Sequence, residues 1–132
     1  MKRNRRKDHE PPYVTSTLGW RYHHLGIPTT TAHADEVHLP GLGMRVSGFE
    51  SSPFGIQWMR FENDTQPAVI RSVPHVAFEV DDLERALREC GAEVLTPPNS
   101  PSPGVRVAMI LHDGAPIELI EFQKRKVPPA KP

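Results

Sequence analysis

Two stretches bring together side chains that can hold a metal ion. The run Pro74-His75-Val76-Ala77-Phe78-Glu79-Val80 alternates apolar and polar residues, as does Ala115-Pro116-Ile117-Glu118-Leu119-Ile120-Glu121-Phe122. Strand side chains alternate faces. His75 therefore shares one side with Ala77 and Glu79, opposite Val76, Phe78 and Val80. In the second run Glu118 falls with Ile120 and Phe122, opposite Leu119 and Glu121. An imidazole and a carboxylate on facing surfaces of one sheet make half of a metal site. The other half must come from elsewhere in the chain.

The elements around these strands are legible in turn. Asp81 stands three residues before Glu84, as in a capping box, and opens a helix carrying Leu83, Ala86, Leu87 and Cys90 on one stripe. Gly91 ends it. Ala92–Thr96 reads as a short strand, 97–104 with its four prolines as a stiff loop, and Val105–Leu111 as a strand. His112-Asp113-Gly114 is a hairpin turn into the last strand.

Upstream, Trp20–Ile27 forms an opening strand, with Tyr22, His24 and Gly26 on one face and His23, Leu25 and Ile27 on the other. Thr29–His38 suits a turn or a short helix, Pro40–Gly43 a loop, and Met44–Glu50 a strand. Phe54–Glu62 is a further strand, with Gln57, Met59 and Phe61 facing one way. Asn63–Ser72 is a polar joint. The two halves are loosely alike, each opening on a histidine-bearing strand and closing on a strand with one polar residue among apolar ones. An internal duplication would make His24 and His75 equivalent, and likewise Gln57 and Glu118.

Size and composition bound the function. The 132 residues suit one compact domain, with 16 basic and 16 acidic side chains balancing to zero, so no global charge points to nucleic acid or membrane. One cysteine excludes an internal disulfide framework. The first seven residues are basic but lead into no apolar run, which argues against a secretory signal and for a cytoplasmic protein. Residues 1–19 read as a loose basic arm, 20–122 as the domain, with modules at about 20–64 and 73–122, and 123–132 as a flexible tail.

The pattern His75-Val76-Ala77-Phe78-Glu79-Val80-Asp81-Asp82, a helix, then Gly114-Ala115-Pro116-Ile117-Glu118-Leu119-Ile120-Glu121-Phe122 resembles the vicinal oxygen chelate superfamily. That group includes glyoxalase I, methylmalonyl-CoA epimerase, extradiol dioxygenases and bleomycin-resistance proteins. His24-Leu25-Gly26-Ile27-Pro28 is similar to its opening strand. The resemblance implies an α+β fold in which paired βαβββ modules curl a mixed sheet around a cleft, here with a reduced first module of three strands and little helix. It also implies a divalent metal (Ni, Co, Zn, Mn or Fe) held by His24, Gln57, His75 and Glu118, with a small oxygenated substrate bound through two neighbouring oxygens. The implied chemistry is that of a lyase or isomerase stabilising an enolate, with Glu118, Glu50 or Glu79 as the base. An Fe(II) dioxygenase using His24, His75 and Glu118, and a metal-free sequestering protein, are the competing readings. A homodimer is expected, and in some relatives of this kind the site is completed across its interface. His33, His38 and His112 read as solvated loop residues, and Trp58 and Phe78 as core.

Overall fold

The computed structural model describes residues 5–123, so the expected tail beyond Gln123 and the first four residues of the basic arm lie outside it. One mixed sheet of eight strands carries the chain, in the order β2-β3-β4-β1-β5-β8-β7-β6. The strands are β1 (Arg21–Pro28), β2 (Val37–Leu39), β3 (Met44–Ser47), β4 (Ile56–Phe61), β5 (His75–Glu79), β6 (Glu93–Ser102), β7 (Val105–His112) and β8 (Ala115–Phe122). Among the described residues three short α-helices accompany them, α1 (Tyr13–Ser16), α2 (Ala68–Ser72) and α3 (Leu83–Cys90), with a 3-10 turn at Pro40–Leu42. None of the described helices is long and apolar enough to cross a membrane.

The sheet is built twice. In each half the first strand pairs parallel with the last, β1 with β4 and β5 with β8. The last then pairs antiparallel with the third, and the third with the second. The two first strands join antiparallel at the centre. The register carries the same relation: Gly26, two residues after His24, lies opposite Gln57, and Ala77, two residues after His75, lies opposite Glu118. Across the central joint Gly26 faces His75 and His24 faces Ala77, a pairing that maps onto itself when the halves are exchanged.

One face of the second half packs on α3. Leu83 and Ala86 from the helix meet Val80, Ala108, Ile110 and Leu119 from the sheet, together with Trp20. Asp82 rather than Asp81 is the N-cap: its side chain accepts from the Arg85 N–H, and the Glu121 carboxylate accepts from the Leu83 N–H. Asp81 is instead drawn away by the Arg21 guanidinium at 2.9 Å. At the other end Gly91 takes the left-handed conformation, φ 61°, that ends the helix.

Several expectations are corrected. Val14 and Leu18 pack against the core cluster, so this part of the presumed arm is anchored. The first half has four strands rather than three, since Val37–Leu39 pairs with β3. It has no helix between β1 and β2. A helix does occur in the polar joint, where Pro67 precedes α2 and Ile70 is buried. The proline loop is strand: β6 runs through Pro97, Pro98 and Pro101 along the sheet's edge, with three register shifts against β7. An edge strand leaves one row of backbone groups unpaired, and there proline's missing N–H costs little.

On the outer face of β4 the segment before β2 takes the place of a helix. His33 stacks on Trp58 with ring centroids 5.9 Å apart, so His33 is not a solvated loop residue, and the half-buried Trp58 lies outside the core cluster where it was expected. Arg60 donates to Glu36 from Nε at 2.7 Å and from the terminal nitrogen at 2.6 Å. These bonds hold the Glu36 carboxyl down at about 2 against an ordinary 4.5, although burial opposes them. The folded form therefore gains stability from ionised Glu36 above pH 4.5 and loses it as the pH falls toward about 2. In acid titrations followed by denaturant unfolding, Glu36→Gln should flatten the stability curve across that window. A curve parallel to the parent's would show that the pair contributes nothing.

Candidate metal centre

His24, His75 and Glu118 converge on the face of the sheet opposite α3, each offering one ligand atom within 4.8 Å of the others. Glu118 Oε1 lies 3.3 Å from His24 Nε2 and 3.3 Å from His75 Nε2. The two imidazoles stand edge to face, 5.5 Å between centroids. Both histidines are only 5% exposed, and the Glu118 side chain 19%. Burial would push the Glu118 carboxyl up, but its contacts with His24 and His75 outweigh that and hold it at about 2. It is thus an ionised acceptor at neutral pH. His24 Nε2 points at this oxygen without hydrogen-bond geometry and has no other partner. A buried imidazole nitrogen left so, aimed where a second nitrogen and a carboxylate oxygen also point, fits a divalent cation.

The three side chains are held in different ways. The His75 ring lies directly over Gly26: a Cβ there would stand 2.2 Å from His75 Cε1. Its Nδ1 is buried without a hydrogen bond, so close packing on bare backbone fixes this ring. His24 has Ala77 opposite it and is fixed instead by a hydrogen bond, Nδ1 to His23 Nδ1 at 2.7 Å. Glu118 lies on β8 opposite Ala77, in the same cross-strand row as His24.

His23 was expected on the other face, and the structure corrects this. Tyr22 pairs with Phe78 but His24 pairs with Ala77, so β1 has one residue more than β5 over that step. This bulge leaves Tyr22 on the side of Phe78, away from His24, and brings His23 over to the face that carries His24, His75 and Glu118. There its ring stacks on Phe49 at 5.0 Å and tilts against Phe122 at 5.4 Å. Burial, then the neighbouring His24, lowers the His23 pKa. Simple alternation missed both His23 and Phe49, and the adjacent pair of histidines is their only trace in the sequence.

The remaining candidates divide. Gln57 shares the row of Gly26 and His75, one strand beyond Gly26, and so its backbone lies roughly 10 Å from that of His75 across the sheet. Glu79 alternates with His75 and Ala77 along β5 but binds Arg21 at 3.1 Å, so it is not a free carboxylate. Glu50 is exposed in the turn between β3 and β4. His38 lies in β2 and contacts Glu62 at 2.5 Å, while His112 is exposed at the end of β7. Neither joins the cluster.

No family model matches the chain, and no curated protein does. Among solved structures, a hypothetical protein from Bacillus halodurans C-125 is similar over 89% of this chain and 86% of its own, at 18% identity and a TM-score of 0.50. Methylmalonyl-CoA epimerase from Mycobacterium tuberculosis overlaps less well, with a TM-score of 0.47, 22% identity, and 85% and 77% of the two chains covered. A glyoxalase family protein from Enterococcus faecalis has a TM-score of 0.33, 22% identity, and covers 83% of each chain. With its duplicated strand order and central antiparallel joint, this chain has the paired-module fold that the sequence resemblance implied, and the Bacillus halodurans protein is similar in fold.

Proposed function

We propose that the cleft holds one divalent metal ion through His24, His75, Glu118 and Gln57, and that the protein is an enzyme of the lyase or isomerase kind. The observation that carries this reading is the convergence of His24 Nε2 and His75 Nε2 on one oxygen of Glu118, both at 3.3 Å. Gln57 enters as the counterpart of Glu118, because its place relative to His24 repeats that of Glu118 relative to His75. When bound, the ion supplies Lewis-acid polarisation of two neighbouring substrate oxygens. The donor set of two imidazoles, an amide and a carboxylate suits Ni, Co, Zn, Mn or Fe.

The chain's own contribution is to orient and to move a proton. Glu118 is the one candidate base inside the cluster, since Glu79 is tied to Arg21 and Glu50 lies in an exposed turn. Its carboxylate would take the proton beside a substrate carbonyl. Phe49 and Phe122, packed around His23, flank the cluster with apolar surface. The substrate is a small oxygenated molecule such as a 2-oxo compound or a thioester, and a homodimer is the expected assembly. Incubation of metal-loaded protein with a panel of such compounds in D₂O should exchange the proton beside the carbonyl with one of them. Oxygen consumption with the iron-loaded form, and no exchange with any panel member, would replace this reading by an oxygenase.

A further inference from the structure

His23 hydrogen-bonds a candidate ligand, His24, without belonging to the ligand set. Its Nδ1 lies 2.7 Å from Nδ1 of His24, a distance that requires one proton between the two nitrogens. The opposite nitrogen of His24, Nε2, is buried, unbonded and aimed toward Glu118. We propose that His23 is a positioning residue: its unprotonated Nδ1 accepts the His24 Nδ1–H, and this fixes the His24 tautomer whose Nε2 lone pair faces the cluster. The inference rests on the metal reading above and adds to it the group that sets one ligand's orientation.

Three features support the assignment. The bulge at 22–24 is what carries His23 to the cleft side, and regular pairing would have left it on the opposite face. Phe49 and Phe122 clamp the His23 ring, so its Nδ1 is presented in one direction. His24 lacks the close backbone seat that His75 has over Gly26, and the hydrogen bond replaces it. The partner nitrogen of a ligating imidazole governs its tautomer and basicity, and losing such a partner costs typically about 10–100-fold in metal affinity.

The test has two readouts. In ¹⁵N-histidine-labelled, metal-free protein, NMR should show His24 protonated at Nδ1, His23 unprotonated there, and scalar coupling between the two nitrogens through the hydrogen bond. A proton residing on His23 Nδ1 overturns the assignment, and this readout needs no variant. Cobalt(II) titration followed by visible absorption should then show His23→Leu weakened about 10–100-fold. His23→Asn, whose side-chain oxygen falls near the Nδ1 position, should regain most of the loss, with unfolding of the metal-free forms confirming that both variants fold. Equal cobalt affinity in parent and His23→Leu overturns the role of His23 alone. A parent that takes up no cobalt overturns the metal reading and this inference with it.

Discussion

Gly26→Ala should destabilise the metal-free protein by about 1–3 kcal/mol and weaken its metal binding about 100-fold. The sign is what makes this informative. In an open strand position, replacing glycine by alanine ordinarily gains about 0.5–1 kcal/mol, because alanine loses less backbone freedom on folding. At Gly26 the added methyl would lie 2.2, 2.7 and 2.8 Å from three atoms of the His75 ring, closer than carbon and nitrogen can approach. The ring must leave its seat, and with it goes the convergence of His75 Nε2 on Glu118 Oε1. Denaturant unfolding of the parent, Gly26→Ala, His75→Ala and the double variant forms a cycle. Alanine at 26 should be tolerated once His75 is removed, so the double variant should lose less stability than the two single losses sum to. A stabilising Gly26→Ala in the His75 background of the parent would mean that the ring does not rest on that backbone.

Leu119→Ala should cost about 2–5 kcal/mol in stability while sparing the ligand set. Leu119 is fully buried and neighbours Glu118 in the chain, but it faces the opposite way, into the cluster of Leu83, Ala86, Ala108 and Ile110 beneath α3. Truncation leaves a cavity that the sheet, fixed by pairing on both sides of β8, cannot close. The denaturant midpoint should fall, yet the fraction that remains folded should bind metal with the parent's stoichiometry. Loss of metal with unchanged stability would reverse the assignment of faces along β8.

The second half of the chain was largely legible because its signals are local and agree with each other. The alternation in 75–79 and 115–122 assigned the correct faces to His75 and Glu118, and the apolar stripe of 83–90 gave α3 its bounds. The first half was harder for physical reasons. β2 has only three residues, too few for a period to show, and its backbone is organised by pairing with β3. β6 contradicts the ordinary meaning of its prolines because an edge position excuses them. The bulge in β1 is a difference in residue count between two strands far apart in sequence, so strict alternation from Trp20 onward put His23 and Tyr22 on the wrong faces. For the centre itself, alternation placed His75 and Glu118 correctly but put the neighbouring His23 on the wrong face. It could not reveal what seats the candidate ligands: a bare backbone under His75 and a second imidazole behind His24.

The most direct test of the metal reading is the metal content of protein purified without chelators, comparing the parent with a His75→Ala/Glu118→Ala double variant. One equivalent of a divalent transition metal in the parent, lost in the folded variant, is the predicted result. A parent that stays metal-free after exposure to Ni, Co, Zn, Mn and anaerobic Fe(II) would contradict the account. The cleft would then be that of a binding protein, with Phe49, Phe122 and His23 as its contact surface.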